Sequence, residues 1–338
     1  MDCENMLNNL NTILEFRDER FTISDDLMKR KDELREEINS ISTIRKVKDW
    51  TPLSVGAIDS SFRVLFEDDW GRRLYGICVS GIGFIPGAPY LSKVNDVITK
   101  DYVIGYKETE DYGRILKGLS MANEIHSAKK WFSDVDLIVI DGSAKSYIIA
   151  INQAMTVSNL ENSESGKMMK SIYKETLEAL YEMLHLGRVV FSPKRSDKKP
   201  VYNEVFIADK VSAPFKSDYA ILEAVLEEGE YIVLELGHMP EVQPWSYTLP
   251  KKEGVSEEFL SRLFSLLKNL KIIYFKSKVG RIVKFETTIP LAVNVLYDYF
   301  ILEGENILTY IVDRNAKDVM AMPSRYAHLL NFPWKYRL

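Results

Sequence analysis

The sequence predicts an α/β fold, a mixed central sheet flanked by helices with an N-terminal helical arm ahead of it. Three observations carry this. From Leu53 the apolar residues alternate over 53–67 and again over 72–85, with the turn Asp68-Asp69-Trp70-Gly71 between, as an antiparallel hairpin requires. Residues 110–132 change to a helical period, with Met121, Ile125, Ala128 and Phe132 at i, i+4, i+7 and i+11. Residues 135–141 then form a short, continuously apolar run, the pattern of a buried strand.

The elements follow in order. Residues 1–50 are polar and helical in pattern, with Ser24-Asp25-Asp26 as a helix start, and are expected to form an arm that contacts a partner or a second copy. A third strand is expected at 101–108, which completes the order βββαβ through residue 141. Helices are expected at 144–160 and 165–186, separated by the polar loop Asn159-Leu-Glu-Asn-Ser-Glu-Ser-Gly166. A strand from Arg188 runs into the basic turn at Lys194-Arg195. After it come a helix, a strand at 231–236, a helix at 255–269, strands at 271–277 and 281–288, a helix near 291–302, a strand near 307–312 and a final helix after Pro323. No internal repeat or low-complexity linker divides the chain, so residues 51–338 read as one domain.

Composition narrows the class. The 338 residues are 46% hydrophobic and 28% charged, enough apolar mass for a large core. A formal net charge of -5 excludes a uniformly basic nucleic-acid coat but leaves room for a local basic groove. Cys3 and Cys78 alone give neither zinc spacing nor a disulfide framework. The start Met1-Asp-Cys-Glu-Asn lacks signal-peptide character and no apolar run reaches about 18 residues, so a soluble cytoplasmic protein is expected.

Two aspartates end apolar runs: Asp59 in Ser54-Val-Gly-Ala-Ile-Asp59-Ser-Ser and Asp141 in Leu137-Ile-Val-Ile-Asp141-Gly-Ser. A carboxylate so near a buried strand is costly to keep charged unless it meets a cation or hydrogen-bond donors. Three antiparallel strands, a helix and a fourth strand, with acids on the first strand, in the helix and at the end of the fourth, form the layout of the ribonuclease H-like fold. That fold hosts two-metal phosphoryl transfer, in which carboxylates hold hard cations about 3.5–4 Å apart. Glu124 borders the buried stripe of its helix and is the best third ligand. Taken singly, Asp141 reads equally well as a turn or helix-cap residue, and Glu124 as part of a solvated helix face. Asp59 is harder to explain that way, because Phe62, Val64 and Phe66 continue its strand.

Supporting groups are sought among the basic and imidazole side chains. Lys194, in Ser192-Pro-Lys194-Arg-Ser directly after an apolar strand, is placed to neutralise a phosphate or orient water, and reads equally as a solvated turn lysine. His328, near the start of the final helix, is a candidate phosphate contact or proton shuttle, with a structural role the stronger local reading. Trp245, Tyr247, Tyr274, Phe275, Lys276 and Lys278 could stack on and track a single strand, or be ordinary core aromatics. No Gly-x-x-x-x-Gly-Lys loop, His-Glu-x-x-His pair or Gly-x-Ser-x-Gly elbow is present, which argues against an ATPase, a zincin and a serine hydrolase.

In their order and spacing these residues resemble the archaeal and bacterial NurA nucleases, from about residue 50 to the C-terminus. The carriers are Val55-Gly-Ala-Ile-Asp59-Ser-Ser, Glu124 seventeen residues before Asp141, Leu137-Ile-Val-Ile-Asp141-Gly-Ser143, Ser192-Pro-Lys194-Arg-Ser, Tyr274-Phe-Lys with Arg281, and Pro323 to His328. The resemblance implies a ribonuclease H-like core and a manganese-dependent (or magnesium-dependent) 5′ to 3′ exonuclease and single-strand endonuclease with two ions. It further implies a homodimer that works on single- and double-stranded DNA with the hexameric ATPase HerA during end resection at double-strand breaks. Carried onto this chain, Asp59, Glu124 and Asp141 are metal ligands, with Lys194 and His328 as supporting catalytic groups. One departure is visible: the family's first motif more often reads Asp-Gly-Ser, whereas Ser60 follows Asp59. The competing expectations are a non-catalytic adaptor that guides DNA to a ring ATPase, and a nuclease of the same fold acting on RNA.

Overall fold

The computed structural model describes residues 28–48, 53–67, 69, 72–84, 91–102, 106–157, 160–193, 201, 217–235, 253–278, 280–290 and 292–297. Its centre is a single mixed sheet. Strands β2 (Val55–Glu67) and β3 (Arg72–Phe84) form the expected hairpin, in register from Val55 opposite Phe84. The third strand, β4, spans Leu91–Tyr102 and pairs with β3, earlier than the 101–108 expected. Its sequence interrupts Val94, Val97 and Ile98 with Lys93, Asn95, Asp96 and Lys100, and among the described residues β4 is an edge strand.

Helix α2 (Tyr106–Trp131) carries the chain back so that β5 (Leu137–Asp141) lies parallel to β2, with Ile58 opposite Ile140. A parallel neighbour needs such a crossover, and the helix supplies it. Helices α3 (Ala144–Met155) and α4 (Glu164–His185) precede β6 (Val189–Ser192), which is parallel to β5 with Ser192 opposite Asp141. The run β4-β3-β2-β5-β6, its first three strands antiparallel and the next two parallel to β2, is the ribonuclease H-like core.

The sheet continues beyond that core. Strand β9 (Ile282–Thr287) pairs antiparallel with β6, followed by β8 (Lys271–Lys276), β7 (Glu230–Glu235) and the two-residue β1 (Arg45–Lys46). Helices α5 (Asp218–Val225) and α6 (Glu257–Lys268) pack on the same core cluster as α2, α3 and α4, whereas α7 (Ala292–Leu296) buries Ala292, Val293 and Leu296 in the second cluster. Residues of one strand alternate between the two clusters: Ile58 belongs to the first and Ala57 to the second, Ile140 to the first and Val139 to the second. Ile58, Ile140 and Val139, fully buried, each contribute roughly 1.5–3 kcal/mol, and Ala57 less.

The arm region is represented by α1 (Lys31–Ile41), which buries Leu34 and Ile38 in the first cluster. Arg35 on α1 makes a two-pronged contact with Glu230 on β7, Nη1 to Oε2 at 2.7 Å and Nη2 to Oε1 at 2.6 Å. The helix start expected at Ser24, the strand near 307–312 and the helix after Pro323 lie outside the described residues. Among the described residues no helix is long and apolar enough to cross a membrane.

Candidate active site

Asp59 and Asp141 stand one residue past the paired Ile58 and Ile140, at the same end of two hydrogen-bonded parallel strands. Glu124 reaches the same place from α2. Its helix buries Leu119, Ala122, Ile125 and Ala128 against the core, and beside them runs a buried polar line, Ser120, Glu124 and Ser127, at i, i+4 and i+7. Glu124 is only 3% exposed, which rules out the solvated-face reading. All three acids line one pocket of about 500 Å³, together with Phe62, Lys117 and Pro193.

Two hydroxyl-bearing side chains tie the acids to one another. The Ser60 main-chain N–H donates to Asp59 Oδ1 at 2.8 Å, while Ser60 Oγ donates to Glu124 Oε1. Because that proton is committed, the contact between the Ser60 and Ser120 hydroxyls has Ser120 as donor. On the other oxygen, Tyr147 Oη donates to Glu124 Oε2 and also lies 2.8 Å from the main-chain oxygen of Asp141. The phenol has one proton for these two acceptors and so bridges Glu124 and the Asp141 main chain.

Burial first, then the negative charges of Asp59 and Asp141, push the Glu124 carboxyl well above the ordinary carboxylate range, and the Ser60 bonds oppose the rise. Three acids that repel one another in a pocket are a donor set suited to a hard divalent cation, which takes oxygen ligands and removes the repulsion. Each carboxylate oxygen engaged by a hydroxyl keeps a second lone-pair direction for an ion. Among the described residues, however, no three acids, histidines or cysteines are drawn together as a closed ion-binding cluster. The donor chemistry of the three carboxylates fits a hard divalent metal ion.

The turn that carries Asp141 is firmly built. Gly142 has φ 106°, in the left-handed region, and a Cβ there would come 3.3 Å from the Tyr147 ring. Ser143 caps α3, accepting from Ser146 N at 3.1 Å, while Ser146 Oγ accepts from Ser143 N at 3.2 Å. The cap of α3 is therefore Ser143, which leaves Asp141 outside that role.

Lys194 and His328 lie outside the described residues, as do Trp245 and Tyr247. Pro193, directly before Lys194, lines the pocket. The other aromatics proposed to track a strand do not do so: Tyr274 and Phe275 are fully buried, and Lys276 Nζ donates to the main-chain oxygens of Glu223 and Leu226. Sequence reasoning missed Tyr147, Ser120 and the use made of Ser60. Tyr147 at i+6 from Asp141, inside a helix that opens on a cap, was its only signal.

The fold is similar to that of the NurA nuclease from Sulfolobus solfataricus, with a TM-score of 0.57 over 97% of this chain and 98% of that one, at 13% identity. The chain has the NurA fold. A NurA structure bound to dAMP and manganese matches at a TM-score of 0.55 and 12% identity over 93% of each chain. A NurA structure with manganese matches at 0.51 and 13% identity, over 95% of this chain and 98% of that one. No protein-family model and no curated protein matches the chain. At such identity the likeness to NurA is one of fold, and the motif-level resemblance holds at that level.

Proposed function

We propose that this chain is a metal-dependent DNA nuclease whose centre is Asp59, Glu124 and Asp141. The observation that carries the reading is the convergence of these three acids, from β2, α2 and β5, on one pocket, where burial and the charges of Asp59 and Asp141 push the Glu124 carboxyl up. Mn²⁺ or Mg²⁺, one or two ions, bound to these carboxylates supplies Lewis acidity at the scissile phosphodiester. The chain's own residues bind and orient. Asp59 and Asp141 present carboxylates from adjacent strand ends, Glu124 presents one from the helix, and Lys117 lends positive charge at the pocket wall. Lys194 follows the pocket-lining Pro193 and is assigned to the phosphate, and His328 to a second phosphate contact or proton shuttle.

The substrate and partners rest on fold likeness to NurA, including the structure described with dAMP and manganese. The motif resemblance to NurA supports the finer reading, a 5′ to 3′ exonuclease and single-strand endonuclease acting as a homodimer with a HerA-type hexameric ATPase in end resection and break repair. Residues 1–50 are assigned to dimer or partner contact and 51–338 to the nuclease domain, in the cytoplasm. The test is cleavage of matched 5′-labelled DNA and RNA oligonucleotides with Mn²⁺, with and without the ATPase. Degradation of DNA by the wild type and its loss in a folded Asp59→Ala variant are expected; intact DNA under every condition contradicts the proposal.

A further inference from the structure

We infer that Ser60 and Tyr147 are positioning residues that set the spacing of the three site carboxylates and so the affinity of the centre for a divalent cation. The inference rests on the reading of Asp59, Glu124 and Asp141 as a metal centre. Glu124 is the only one of the three that comes from a helix, so its place relative to the strand ends depends on what spans the gap between α2 and the sheet.

Two side chains span it. Ser60 links Glu124 to Asp59, through its hydroxyl on Glu124 Oε1 and its main-chain N–H on Asp59 Oδ1. Tyr147 links Glu124 to Asp141, through one hydroxyl that touches Glu124 Oε2 and the Asp141 main-chain oxygen. Every acid is thereby tied to another by a group that is not itself a cation ligand of the proposed set. Tyr147 is fully buried and its ring packs on Phe191 at a centroid distance of 5.8 Å, so its hydroxyl has one place to be. The absence of a Cβ at Gly142 leaves the space into which the ring fits. Partners that orient ligating groups in this way usually contribute ten- to a hundred-fold to metal affinity.

Tyr147→Phe keeps the ring and its packing and deletes only the hydroxyl, which makes it the informative variant. Mn²⁺ is titrated into the full chain and the free ion is read by electron paramagnetic resonance, alongside thermal denaturation without metal. The expected result is a folded variant whose Mn²⁺ affinity falls by about ten-fold or more, with cleavage recovering at raised Mn²⁺. A purely structural tyrosine would lower the melting temperature and leave Mn²⁺ affinity alone. Ser60→Ala, a small change at a half-buried position, carries the same expectation and decides the matter should Tyr147→Phe fail to fold. Variants that bind Mn²⁺ as tightly as the wild type overturn this inference and leave the metal centre standing. A wild type that binds no Mn²⁺ overturns both.

Discussion

The Ala144 main-chain N–H, at the head of α3, donates to Glu286 Oε2 on β9 at 3.0 Å inside the protein. Glu286 Oε1 stands 3.4 Å from Lys284 Nζ, and these side chains are 6% and 1% exposed. A carboxylate at a helix N-terminus is favourable, and here it also fixes the start of the helix that carries Ser146 and Tyr147. Removing Glu286 takes from the buried Lys284 a carboxylate 3.4 Å away. Glu286→Ala is therefore expected to cost about 3 kcal/mol or more in urea denaturation, with Lys284→Met/Glu286→Gln recovering part of the loss. Single and double variants of equal stability would show that the pair does not hold the α3 head.

Glu124 is predicted to destabilise the metal-free protein. Its folded pKa lies above the unfolded value of 4.5, so the unfolded chain releases the proton more readily and stability declines as pH rises past that value. Glu124→Gln removes the penalty, since an amide can accept from Ser60 and donate to the Tyr147 oxygen. Without divalent ions the variant should melt at a higher temperature than the wild type at pH 7–8, the two converging below about 4.5. A variant that melts lower at neutral pH would contradict the account of this carboxyl.

The α1–β7 tie has the opposite sign. The Arg35 bonds hold the Glu230 carboxyl below its usual 4.5, so their contribution is present above that pH and lost as pH falls through the folded value. Arg35→Ala should cost about 1 kcal/mol at pH 7, the side chains being partly exposed, and the difference should shrink below about pH 4. Denaturant titrations of both proteins at the two pH values check it.

Gly118 packs tightly against α3: a Cβ there would lie 2.4 Å from Ala154 Cβ and 2.9 Å from the Ala150 oxygen. Gly118→Ala gains helix propensity but must part the helices, for a net cost of about 1–3 kcal/mol. Because Glu124 and Tyr147 sit on these two helices, cleavage should fall further than stability alone explains. Full activity in a Gly118→Ala protein would show that the helix spacing does not reach the site.

Much of the site was legible because it obeys strand arithmetic. Asp59 follows Val55, Ala57 and Ile58 in one apolar run and Asp141 ends another, and parallel pairing of those runs brings the acids together. Glu124 was legible from helical spacing, one position off the buried stripe. The residues that tie them were not, because Ser60 and Tyr147 act across 64 and 23 positions of sequence, and no local pattern encodes such a contact. The third strand was misplaced for a related reason: Leu91–Tyr102 is positioned by its pairing with β3, and its strand formers Val94, Val97, Ile98 and Tyr102 do not alternate regularly with its polar residues. For Tyr274 and Phe275 the sequence left a nucleic-acid platform and ordinary core aromatics open, because a strand buried on both faces shows the same aromatics; the structure places them in the core.

Anomalous diffraction from crystals soaked in Mn²⁺ shows whether Asp59, Glu124 and Asp141 share a divalent ion. A manganese peak is expected among these three carboxylates, absent from Asp141→Asn crystals treated alike. A well-ordered site with no peak there, or a peak bound elsewhere while the three acids keep their hydroxyl partners, would contradict it.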